Sequence, residues 1–190
     1  MIGSTETWRA TALRRIADLY FRHAEQCSRD QIKLFDAVMC RLLKKMDRSV
    51  LADISTRLGP IANPPMRLLQ TLACHPDMIV HRPILEQSNA LPEKDLAEII
   101  DKDRVDQALL MKIAECRRQP GAALVDVLIK RGNVDLQRKI VDNHDIPVSE
   151  SSFARILVGI NGDKEFAAAI AQRNDVPDEL RVWLKQILSE

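Results

Sequence analysis

Ile113-Ala-Glu-Cys-Arg-Arg-Gln-Pro120 and Ile170-Ala-Gln-Arg-Asn-Asp-Val-Pro177 are two copies of the segment that decides the fold of this chain. A third copy, Ile140-Val-Asp-Asn-His-Asp-Ile-Pro147, again places a large aliphatic residue seven positions before the proline. The same spacing recurs at 58–65 and 85–92. Successive prolines of this set are 27, 28, 27 and 30 residues apart. The chain therefore contains a repeat of about 28 residues, the kind of period that is typical of helical arrays.

Each repeat is predicted to be a helical hairpin. After each proline the apolar residues return at helical spacing, as at Leu124, Val127 and Leu128. Proline suits the first helical turn, because its missing N–H has no partner there, and it disfavours helix at the preceding residue. A second break, such as Arg131-Gly-Asn133, ends each unit. We therefore expect a shorter first helix, and a second helix that holds the proline within its first turn.

Neither helix of such a hairpin can bury its apolar stripe alone, whereas stacked hairpins share one continuous core. We predict an all-α fold, an α-solenoid of about five hairpins that fills residues 58–190 as a single continuous domain. The aliphatic residues seven positions before the prolines, Ile140 among them, are predicted to be buried. Residues 1–57 hold two amphipathic segments separated by the capping-box sequence Ser28-Arg-Asp-Gln31, and these should form a hairpin that caps the solenoid. The alternative is an irregular bundle with prolines spaced by coincidence.

Composition limits the classes of function. The net charge of +1 disfavours a general polyanion binder, although residues 1–57 carry 11 basic and 7 acidic side chains. The four cysteines stand far apart with no C-x-x-C pair, which fits a reducing compartment. No apolar run approaches the roughly 20 residues of a membrane span, and no signal-peptide pattern opens the chain. We expect a cytoplasmic protein without a membrane segment.

Chemistry-bearing residues are sparse. Cys74 beside His75 is the nearest approach to a metal-ligand pair, but a zinc site needs about four ligands, and no second cluster supplies the rest. His23 is interpreted as a solvated surface side chain. No nucleophile elbow, phosphate loop or dinucleotide fingerprint is present. We predict no catalytic residue, no metal and no cofactor. A short basic edge can be imagined from equivalent repeat positions, but solvated turn residues are the favoured interpretation of its members, Arg117, Arg118, His144 and Arg173.

Five stretches of the chain resemble a family of alphaproteobacterial proteins, the domain of unknown function 2336. They are Ser28-Arg-Asp-Gln-Ile-Lys-Leu-Phe-Asp-Ala-Val38, Leu91-Pro-Glu-Lys-Asp-Leu96, Val127-Leu-Ile-Lys-Arg-Gly-Asn133, Val148-Ser-Glu-Ser-Ser-Phe-Ala154 and Arg173-Asn-Asp-Val-Pro177. The resemblance covers nearly the whole chain and implies HEAT-like helical repeats in a cytoplasmic bacterial protein. It brings no assigned activity and no catalytic residues. A departure from the family pattern lies at Asp106-Gln-Ala-Leu109, and many members continue beyond the point where this chain ends.

The leading functional prediction is a non-enzymatic scaffold or adaptor that binds another protein, compatible with a role in bacterial signalling or regulation. The partner surface is predicted on the proline-led helices, at Arg67, Gln70, Lys94, Val125 and Arg181. A nucleic-acid-binding module that uses the mildly basic N-terminal hairpin is the alternative, and an uncharacterised enzyme comes third. The same helices also carry an apolar row outside the main stripe. If this row is exposed, it marks a partner surface; if it is buried, it widens the core. Its members are Ala97, Val125, Ile129, Val158 and Val182.

Overall fold

The computed structural model describes residues 2–44, 46–102, 105–117, 119–160 and 162–189, with side chains from Trp8 onward. These residues contain α-helices, one short 3-10 turn and no strand, which confirms the all-helical prediction. The chain divides into two compact units, 1–95 and 96–190.

The helices have the following bounds. The first unit contains α1 (Ile2–His23), α2 (Arg29–Leu43), α3 (Arg48–Leu58), α4 (Met66–Ala73) and α5 (Met78–Gln87). Helix α6 (Glu93–Asp101) crosses the division between the units. The second unit continues with α7 (Gln107–Cys116), α8 (Ala122–Arg131), α9 (Val134–Asp142), α10 (Glu150–Gly159), α11 (Lys164–Ala171) and α12 (Asp178–Ser189).

In the first unit α3 packs against α1 and most extensively against α5, while α2 packs against α1 and α4. The capping box predicted at Ser28 is present at the start of α2. Gly59, at the end of α3, allows close approach to α5, because an added Cβ would lie 2.9 Å from the carbonyl oxygen of Pro83. The predicted boundary after residue 57 falls at the last turn of α3, and α3 belongs to the same compact unit as α5.

The second unit is built in two layers. Helix α9 lies beside α7 and α11, whereas α8 packs against α9 and α10. Ion pairs join the first layer: Lys139 Nζ lies 2.6 Å from Glu115 Oε1, and the Arg138 guanidinium pairs with Asp163. Helices α8, α9 and α11 therefore each pack against at least two other helices, which explains why their apolar stripes are wide.

The proline-led helices share one burial pattern when residues are counted from the first helical residue. Positions three, four, seven and eight are buried in α4, α8 and α10; these are Leu68, Leu69, Leu72, Ala73, Leu124, Val125, Leu128, Ile129, Ser152, Phe153, Ile156 and Leu157. The prediction that the aliphatic residues before the prolines are buried is confirmed for Leu58, Leu85, Ile113, Ile140 and Ile170.

The predicted place of the prolines is wrong by one to three residues. Pro65 occupies the N-cap of α4, and Pro92 and Pro177 directly precede α6 and α12, so none lies inside the first turn. Pro120 and Pro147 stand two and three residues before their helices. The start of α10 is set by Ser149, whose Oγ accepts the N–H of Ser152 at 3.2 Å. The capping residue, rather than the proline, fixes the phase of this helix.

Candidate functional site

A cavity of about 390 Å³ opens in the first unit between α2, α3 and α4. Its volume lies in the range of small ligand pockets, roughly 300–1,000 Å³. Helix α2 contributes two of its lining residues, the connection after α2 two, α3 one, α4 three and the connection after α4 one; in chain order they are Cys40, Leu43, Lys44, Met46, Leu51, Arg67, Thr71, Leu72 and His75.

The floor of the cavity is aliphatic. Leu43, Leu51 and Leu72 are buried members of the unit's core, and Met46 is half-buried beside them. Leucine side chains hold one wall shape because they populate few rotamers, while methionine adapts to what it contacts. The floor is therefore suited to an aliphatic group.

A buried carboxylate on α2 sets the position of α4 at the cavity edge. Asp36 accepts the backbone N–H of Leu68 at 2.8 Å and of Arg67 at 3.2 Å. Helix α4 needs this external acceptor, because its N-cap residue is Pro65, which has no side-chain acceptor. These two hydrogen bonds fix the first turn of α4, and they thereby fix the position of the Arg67 Cα on the cavity wall.

The polar groups around the cavity are mostly donors and cations. Lys44 and Arg67 are exposed, and neither lies within ion-pairing distance of a carboxylate among the residues that the structure describes. His75 Nδ1 accepts the N–H of Asp77 at 3.1 Å, which leaves the proton of a neutral imidazole on Nε2. The Thr71 hydroxyl donates to the Arg67 carbonyl at 2.6 Å. The mouth of the cavity thus carries positive charge that no described carboxylate neutralises by an ion pair.

The thiol of Cys40 does not offset this charge. Burial, with a further contribution from the negative charge of Asp36, raises the pKa of Cys40 to about 11. The thiol lies 3.5 Å from Asp36 Oδ1, to which it donates. Cys40 therefore stays protonated and neutral near pH 7, so the wall gains no thiolate.

The structure places only part of the predicted partner surface at this cavity. Arg67 lines it, whereas Gln70 is half-buried and donates from Nε2 to Asp95 Oδ2 at 2.7 Å. Lys94 is exposed on α6. Arg181, in the second unit, donates to the carbonyls of Arg173 at 2.9 Å and Val176 at 3.1 Å. Through those bonds Arg181 stabilises the turn before α12.

Val125 is a correction, because its side chain is 0% exposed and cannot lie on a partner surface. It occupies the fourth position of α8, which belongs to the buried stripe. Counting from Pro120 misphased the helix, since Gly121 is the N-cap. The proposed apolar row is divided for the same reason: Val125 and Ile129 are buried, while Val158 and Val182 are 81% and 62% exposed.

Arg173 is also buried, which removes it from the basic edge considered in the sequence. The guanidinium forms two bonds with the Asp175 carboxylate, at 2.8 and 2.7 Å. It also donates to the carbonyls of Val141 at 2.9 Å, Asn143 at 2.8 Å and Ile146 at 2.6 Å. These carbonyls lie at the end of α9 and in the turn after it, where backbone acceptors lack helical partners. Of the other members, His144 is exposed and Arg118 lies outside the described residues.

Sequence reasoning missed most of the cavity. The sequence pattern did not indicate Lys44 or Asp36 as site residues. Cys40 was considered only as one of four dispersed cysteines, and His75 only beside Cys74 as an incomplete metal-ligand pair. One signal was present: Asp36 interrupts the apolar stripe of α2 between Phe35 and Met39. A carboxylate at a core-facing position needs buried donors, so it marks an element packed end-on against α2.

The described side chains do not assemble a metal site. Within them, no group of three or more His, Cys, Asp or Glu side chains converges as a metal site would require. No helix in the described part of the chain is both long and apolar enough to cross a bilayer.

Fold and cavity together define the class: an all-helical protein whose first unit contains a cavity with an aliphatic floor and exposed cations at its mouth. The chain belongs to the domain of unknown function 2336 family, which is described as an uncharacterised protein conserved in bacteria, and the family model matches residues 80–190. The matched region begins after the last cavity residue, His75. No curated protein and no solved structure matches the chain.

Proposed function

We propose that this chain is a non-enzymatic protein-binding module, a scaffold or adaptor of the bacterial cytoplasm that receives a segment of its partner at the cavity of the first unit. A role in signalling or regulation is part of this proposal. The observation that carries it is a pair of exposed cations, Lys44 and Arg67, that have no ion-pair partner among the described residues and lie above an aliphatic floor. Cations kept without a counter-ion beside apolar surface favour an anionic partner group.

HEAT-like stacking of the hairpins belongs to the same proposal. Its support is the burial pattern shared by α4, α8 and α10, together with the side-by-side packing of α7, α9 and α11 within the second unit. Repeats of this kind present extended surfaces on which partners bind.

Nucleic-acid binding has less support. In the N-terminal hairpin region the Arg57 guanidinium lies 2.6 Å from Asp18 and 4.5 Å from the ring centroid of Phe21. Arg173 is buried and neutralised by Asp175. Phosphate backbones are bound by clustered, accessible cations, and these two are already engaged.

Site-specific photo-crosslinking in the native bacterium tests the proposed function. A photoreactive amino acid is placed at Thr71, an exposed residue of the cavity wall, and in a matched control at Thr56. The pair is matched because both threonines are exposed and each donates its hydroxyl to the carbonyl four residues earlier. We expect a discrete protein adduct from the Thr71 position that is lost when Arg67→Glu is added. Equal adducts from both positions, or none from Thr71, would refute the proposal.

A further inference from the structure

We infer that the segment received by the cavity is acidic and carries an aliphatic anchor, with carboxylates at the Lys44 and Arg67 side and a leucine-like side chain on the floor. This inference rests on the proposed function, because it names the chemistry of the partner that the module binds. It goes beyond that function by assigning which residue types the partner supplies.

The charge requirement follows from the balance of donors and acceptors. Lys44, Arg67 and the Nε2 proton of His75 offer donors, while the Asp36 carboxylate behind the wall is buried and already accepts two backbone N–H groups. The neutral thiol of Cys40 supplies no compensating charge. A carboxylate is an acceptor-only group with up to four lone-pair sites, so it matches this donor set, whereas a cationic segment would repel it.

The requirement for an aliphatic anchor on the partner segment follows from the aliphatic floor of the cavity. Leu43, Leu51 and Leu72 form an apolar surface, and none of the described lining residues is an aromatic that could stack with a ring or a base. Burying an aliphatic side chain there removes apolar surface from water, which favours the complex. The polar mouth then fixes the orientation of the segment, as the few polar groups of a ligand pocket usually do.

Exposure of the two cations makes them suitable for mutation without loss of the fold. Arg67 contributes to the fold through its backbone N–H, which Arg67→Gln retains, and its side chain has no ion pair within the described part of the chain. Lys44→Gln likewise removes charge from an exposed side chain. Lys33→Gln on α2 is the matched control: it removes one exposed positive charge from the same helix, away from the cavity lining.

The experiment measures binding of three synthetic peptides of equal length to the full chain by calorimetry and by methyl NMR of the leucines. Their central residues are Glu-Leu-Glu, Gln-Leu-Gln and Glu-Ser-Glu. We expect the first to bind and to shift the methyl signals of Leu43, Leu51 and Leu72, and the other two to bind at least about tenfold more weakly. Arg67→Gln and Lys44→Gln should each weaken the first peptide by a similar factor, added salt should weaken it further, and Lys33→Gln should leave its affinity unchanged.

Several results overturn the inference. Equal binding of all three peptides would remove both the charge and the anchor requirement. Binding of decanoate with no peptide binding would assign the cavity to a small carboxylate, and displacement of the Glu-Leu-Glu peptide by duplex DNA would assign the cations to phosphate. An adduct at Thr71 combined with failure of the peptides would overturn this inference alone, whereas absence of the adduct would overturn the proposed function.

Discussion

Replacing the buried arginine of the second unit is the sharpest test of how this unit is held together. Arg173 is 1% exposed, and its guanidinium bonds to Asp175 and to three backbone carbonyls around the end of α9. Arg173→Ala leaves those carbonyls and the carboxylate without their donor. Breaking a buried ion pair in this way costs about 3–5 kcal/mol. Because Asp175 is partly exposed and still accepts the N–H of Val148, we expect about 3–4 kcal/mol.

Two further variants test what the Arg173 side chain contributes to the stability of the unit. Arg173→Lys should recover less than half of the loss, because one ammonium group cannot reproduce the planar set of five donors. Arg155→Ala is the control; Arg155 is exposed on α10 and should change the free energy of unfolding by less than about 0.5 kcal/mol. Urea unfolding should be followed by the fluorescence of Trp183, in a Trp8→Phe background, so that the second unit is observed separately.

The pH dependence of the free energy of unfolding provides a second test of the ion pair between Arg173 and Asp175. Burial raises the pKa of Asp175, but the Arg173 guanidinium and the Val148 N–H outweigh burial, so its pKa lies below the ordinary carboxyl value. The ion pair therefore stabilises the unit above the ordinary pKa, and the stabilisation is lost as the pH falls through the lowered value. This acid sensitivity should diminish in Arg173→Ala. A loss below about 1 kcal/mol for Arg173→Ala, or an Arg173→Lys variant as stable as the parent, would refute the assigned role.

Four other outcomes follow from the structure. Ile140→Ala, which truncates a buried side chain, should lower the free energy of unfolding by about 2–5 kcal/mol in the same urea titration, and a loss under about 1 kcal/mol would contradict its core position. Gly132→Ala should lower the free energy of unfolding by about 1–3 kcal/mol, since the new Cβ would lie 2.6 Å from the Leu128 carbonyl oxygen. Gly159→Ala is the control and should not lower it, because its new Cβ would meet no atom within 4 Å. Burial raises the pKa of Tyr20 to about 12; the absorbance of this single tyrosine should titrate there, and stability present below pH 10 should be lost as the pH rises to about 12. Cys40 should react with iodoacetamide more slowly than exposed Cys74 and Cys116 at pH 8, as mass spectrometry of each site would show.

The helices were predictable because their signals are local. The aliphatic residues seven positions before the prolines mark buried faces of the first helices, and all five are buried. The phase of the second helices was not predictable from the prolines, since Gly121 and Ser149 cap α8 and α10 at different distances from Pro120 and Pro147. An error of one residue turns a helix by about 100°, which is why Val125 was assigned to the surface.

The cavity was beyond sequence reasoning because it depends on contacts between distant residues. Lys44 follows α2 and Arg67 lies on α4, and only tertiary packing brings both to the same cavity. The role of Arg173 was hidden for the same reason: a turn arginine is usually solvated, and its buried acceptors lie about 30 residues earlier in the chain. Residue type alone does not distinguish a solvated arginine from one that binds carbonyls.

The carboxylate of Asp36 has a consequence for the order of folding. Helix α4 is only eight residues long, well below the roughly 12–15 residues at which an isolated helix becomes marginally stable. Its first N–H groups find their acceptor on α2, 31 and 32 residues away, so α4 gains these bonds only after α2 has docked. Helix formation in this part of the chain is therefore coupled to loop closure, and Asp36→Ala should lower stability mainly by speeding unfolding, because these bonds form late. The wall that carries Arg67 thus appears late in folding, once the chain has already committed to its native topology.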